Sequence, residues 1–101
     1  MSSPLSPEDR RWLDSAVRYA RPFSGTTGGR PLAAALVINE IEGVVVGRAV
    51  SSGVQTAEAA ALEQAGSAAY GRTLYATLEP NPELVIAAGI ARVVIGAEHP
   101  D

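Results

Sequence analysis

The chain has 101 residues, enough for one small domain with a single core, and it spans 1–101 without an internal boundary. It is 47% hydrophobic and 19% charged, which places it among globular and not disordered chains, and its net charge of −3 excludes a basic surface that tracks phosphates. Having no cysteine, it has no disulfide, no thiolate metal site and no thiol nucleophile.

Residues 1–6 are expected to form a flexible tail. Ser6-Pro7-Glu8-Asp9 reads as a helix start, with a capping serine, a proline suited to the first turn and acids at the positive helix end. Trp12, Leu13, Ala16, Val17 and Ala20 then recur on one face. Arg10, Arg11, Asp14 and Arg18 lie on the other. Arg21-Pro22 ends this helix. A Gly/Thr-rich loop, Phe23 to Arg30, follows. It lacks the strand before and helix after that a phosphate loop requires, so Arg30 is read as a solvated loop residue.

Leu32 to Ile38 is a continuous apolar run, expected of a strand covered on both faces. Asn39 to Gly43 is read as a turn and Val44 to Val50 as a second strand, the two forming an antiparallel hairpin. A second helix is expected from Thr56 to Ala69. Thr73 to Leu78 is read as the third strand, Pro82 to Ala88 as a short helix stopped by Gly89, and Ile90 to Ile95 as the fourth strand. Strand, helix, strand in so few residues implies a parallel crossover. The expected fold class is α/β: a mixed four-stranded sheet flanked by three helices.

No apolar run approaches the roughly 20 residues that span a bilayer, and Met1 to Pro7 lacks a signal-peptide pattern. The expected location is the cytoplasm, with no membrane and no nucleic-acid partner.

Several short motifs occur in a familiar order. Gly53-Val54-Gln55-Thr56-Ala57-Glu58, followed by Ala61-Leu62, resembles the deaminase segment G-x-x-H-A-E-x-x-A-L. Leu74 to Asn81 resembles the T-L-E-P-C segment, and Ala87 to Ile95 the A-G-V-x-R-V-V segment that comes next. The chain thus resembles the cytidine deaminase-like superfamily, most closely the pyrimidine deaminase domain of the bifunctional riboflavin-biosynthesis deaminase/reductase. The resemblance runs from about Arg10 to Pro100.

In that family a histidine and two cysteines hold zinc, and a glutamate moves protons. The resemblance places the histidine position at Thr56, the glutamate at Glu58 and the first cysteine at Asn81. A strict count puts the second cysteine at Leu84, beside a loop that is longer in the riboflavin enzymes. The family's Pro-Asn-Pro substrate loop reads Gly29-Arg30-Pro31, and its closing Asp-Pro reads His99-Pro100. Neutral oxygens from Thr56 and Asn81 are poor zinc ligands. Without zinc, water keeps a pKa near 15.7 in place of about 7. Zinc is therefore not expected, and neither is hydrolytic deamination.

Glu58 has two readings: a retained acid/base or ligand-binding carboxylate, or a first-turn acid that complements the helix dipole. Asn81 either contacts a bound base or ribose, or caps the helix that starts at Pro82. Thr56 is likewise a cap or a pocket residue. Three functions follow. The first is a non-catalytic deaminase-like partner in assembly or regulation, linked to riboflavin or nucleotide metabolism. The second is a pyrimidine or nucleotide binder whose remnant pocket is lined by Thr56, Ala57, Glu58 and Asn81. The third is a metal-independent hydrolase with Glu58 as general base. The resemblance also implies a shortened C-terminus that leaves Val93 to Ile95 at an open sheet edge, so a homo-oligomer formed through that edge is expected.

Overall fold

A computed structural model describes residues 5–21, 33–52 and 55–96. The elements are α1 (Pro7–Ala20), β1 (Ala34–Asn39), β2 (Val44–Val50), α2 (Ala57–Ala65), β3 (Thr73–Ala76), α3 (Pro82–Ala87) and β4 (Arg92–Ile95), with a 3-10 turn at Gly66–Ala69 after α2. They form one mixed sheet in the order β2-β1-β3-β4. β1 pairs antiparallel with both β2 and β3, and β3 pairs parallel with β4. The α/β class, the hairpin and the parallel crossover are as the sequence predicts.

Every residue of β1 and β3 is buried, because helices cover both faces of the central pair. On one face Leu13, Ala16 and Ala20 of α1 pack against Leu36, Ile38, Tyr75 and Val94. On the other, Ala57, Ala61, Leu62 and Ala65 of α2 pack with Val85 of α3 against Ala35, Val37, Leu74 and Ala76. The sheet is thus the middle of three layers. The small residues of α2 let it lie close to β2. A Cβ on Gly47 would collide with the Ala61 carbonyl oxygen and press on Ala65.

Several boundaries differ from the sequence reading; β1 starts at Ala34 and α2 at Ala57, after its cap Thr56, and five others shift for a local reason. Asn39 ends β1, and its Oδ1 accepts from Ile41 and Glu42 N–H to start the turn that Gly43 closes. The second helix stops at Ala65 because Gly66 takes φ 58°. β3 stops at Ala76, where Thr77 turns its hydroxyl onto Ala34. α3 ends at Ala87, with Ala88 as its C-terminal cap. β4 begins at Arg92, two residues late, because Ile90 N–H is spent on the Val85 carbonyl at the end of α3. Residues 1–4 and Leu32 lie outside the described residues.

The largest departure concerns Asp9. It does complete a capping box with Ser6 at the start of α1. It is also buried, and Arg92 grips it with both terminal guanidinium nitrogens, at 2.6 and 3.1 Å. The buried Tyr75 hydroxyl sits 2.9 Å from Asp9 Oδ1 and in close contact with Glu40 Oε2. A hydroxyl has one proton, so it serves one of these carboxylates at a time. Arg92 also reaches Glu40, at 3.2 Å. Four residues from α1, the β1–β2 turn, β3 and β4 are thereby joined. The Arg92 guanidinium holds the Asp9 carboxyl down at about 2, from 3.8, against the opposing effect of burial. Burial, reinforced by Glu40, pushes the Tyr75 hydroxyl up, so it stays protonated as a donor.

Two outcomes are expected. Gly47→Ala should lower stability by about 1–3 kcal/mol in urea unfolding, because the backbone of α2 must move away. Asp9 favours the folded chain most when ionised, so its contribution is complete above about pH 4 and fades as pH falls toward 2. Asp9→Asn should therefore cost about 2 kcal/mol at neutral pH and flatten the stability profile between pH 4 and 2.

Candidate functional site

The residues carried over from the deaminase motifs meet where the N-termini of α2 and α3 converge. Thr56 precedes α2 in extended conformation, φ −73° and ψ 162°, and its Oγ1 accepts from Ala59 N–H at 3.4 Å. Asn81 precedes α3, and its Oδ1 accepts from Glu83 N–H at 2.9 Å. Both side chains act as helix caps, satisfying N–H groups that have no partner inside the helix. Pro82 at the first position of α3 suits this arrangement.

Glu58 lies in the first turn of α2, and its Oε2 accepts from the backbone N–H of Asn81 at 3.1 Å. That bond links the two helix starts across 23 residues of sequence. The side chain thus sits in the first turn of α2, as the helix-start reading has it, and is also held against the neighbouring motif. Asn81 is exposed and Glu58 half-buried, so the bond borders solvent.

The structure therefore brings Glu58 and Asn81 into contact and leaves Thr56 exposed at its cap. Ala57, grouped with them by the sequence, faces the other way and is buried in the core beside α2 and β3. Leu84 is exposed on α3. The loop Gly25–Gly29, Arg30, Pro31, His99 and Pro100 lie outside the described residues. Thr77, in the motif ahead of Asn81, works inward. Its N–H donates to the Ala34 carbonyl and its Oγ1 accepts from Ala34 N–H, both at 3.0 Å, tying the end of β3 to the start of β1.

Among the described residues no group of three or more His, Cys, Asp or Glu side chains is placed to hold a metal ion. The oxygens that Thr56 and Asn81 present are neutral and already accept helix N–H groups. Zinc prefers nitrogen and sulfur donors, so this donor set does not suit it.

Sequence reasoning passed over Asp9, Tyr75, Arg92 and Glu40, which are spread from α1 to β4. Asp9 looked like an ordinary first-turn acid. Tyr75 lay hidden in an apolar strand, and no local spacing links either to Arg92.

A mixed sheet in the order β2-β1-β3-β4, helices on both faces, and α2 and α3 meeting at their N-terminal ends together define a cytidine deaminase-like domain. The chain matches no protein-family model. It is 36% identical over 99 residues to the riboflavin biosynthesis protein RibD of Bacillus amyloliquefaciens, covering 89% of this chain and 27% of that protein. It is 35% identical over 102 residues to RibD of Aquifex aeolicus, covering 92% and 29%. The structure of Acinetobacter baumannii RibD, form 2, superposes with a TM-score of 0.71 at 26% identity, over 86% of this chain and 27% of that one. The chain is thus homologous to RibD proteins over a deaminase-like domain, and it spans less than a third of the curated relatives it matches.

Removing the Asn81 cap should cost about 1 kcal/mol, read as a lower urea midpoint for Asn81→Ala. Asn81→Ser, which keeps a cap oxygen, should lose less.

Proposed function

We propose that this chain is a deaminase-like domain of the RibD family that no longer performs zinc-dependent deamination and serves as an assembly or regulatory partner, linked to riboflavin or nucleotide metabolism. One observation carries the reading. At the positions the family uses for zinc, Thr56 and Asn81 are engaged as caps of α2 and α3, and Glu58 is bonded to the Asn81 backbone. Groups that would hold a metal and move a proton are occupied in holding two helix starts together. A lone carboxylate cannot lower the pKa of water as a zinc ion does, a drop from 15.7 to about 7.

The surface supports a role in protein contact. Leu78 leads into α3, Ile86 projects from it, and Tyr70 lies over Gly89 at its end. All three are well exposed. Large apolar side chains grouped around one short helix favour a protein partner over solvent.

Metal analysis of the purified full chain, paired with ammonia release from pyrimidine nucleotides, tests this reading. We expect less than about one zinc per ten chains and no ammonia above background. Stoichiometric zinc, or ammonia release that Glu58→Gln abolishes, would overturn it. A thermal upshift with pyrimidine nucleotides would replace the partner role with a ligand-binding one.

A further inference from the structure

We draw no further inference here: the strongest candidate, the exposed apolar patch that Tyr70, Leu78 and Ile86 form around α3, carries nothing beyond the partner role already proposed, because nothing in the structure shows what covers it.

Discussion

The fold depends on closing the second face of its sheet. β1 and β3 are buried throughout, and they are stable only while a helix lies on each side. α2 is held by many small contacts, with its alanines against the sheet and its backbone close to Gly47. α1 has a narrower apolar stripe, and it is fixed at its start by a polar contact. Asp9, gripped by Arg92 and touched by Tyr75, ties the first turn of α1 to the two strands farthest from it in sequence. A buried carboxylate would be costly alone, and here two guanidinium nitrogens and a hydroxyl satisfy it.

The candidate site lies apart from that arrangement. The Asp9 cluster rests against the α1 face, while Glu58 and Asn81 lie where α2 and α3 begin. Charge is thus used twice for structure. In one place an acid joins helix to sheet, and in the other an acid joins helix to helix. The Glu58 bond to Asn81 sets an acidic side chain between two helix starts, a structural role whether or not any chemistry follows.

The edges of the sheet express the same economy. β2 is protected by its bulge and by Gln64, and β4 carries the ion-paired Arg92 on one face and Val93 and Ile95 on the other.

The sequence alone determined the α/β class, the order of the elements, the hairpin and the parallel crossover, because apolar periodicity, capping residues and glycine stops are local signals. It also placed Thr56, Glu58 and Asn81 at two helix starts, since Thr56 and Asn81 carry capping chemistry on their face. Tertiary structure alone decided that Glu58 reaches Asn81, that Ala57 belongs to the core and that Asp9 is buried beneath Arg92. Those outcomes depend on how strands far apart in the chain align, and pairing register and helix docking are set by packing between segments, which no local pattern encodes.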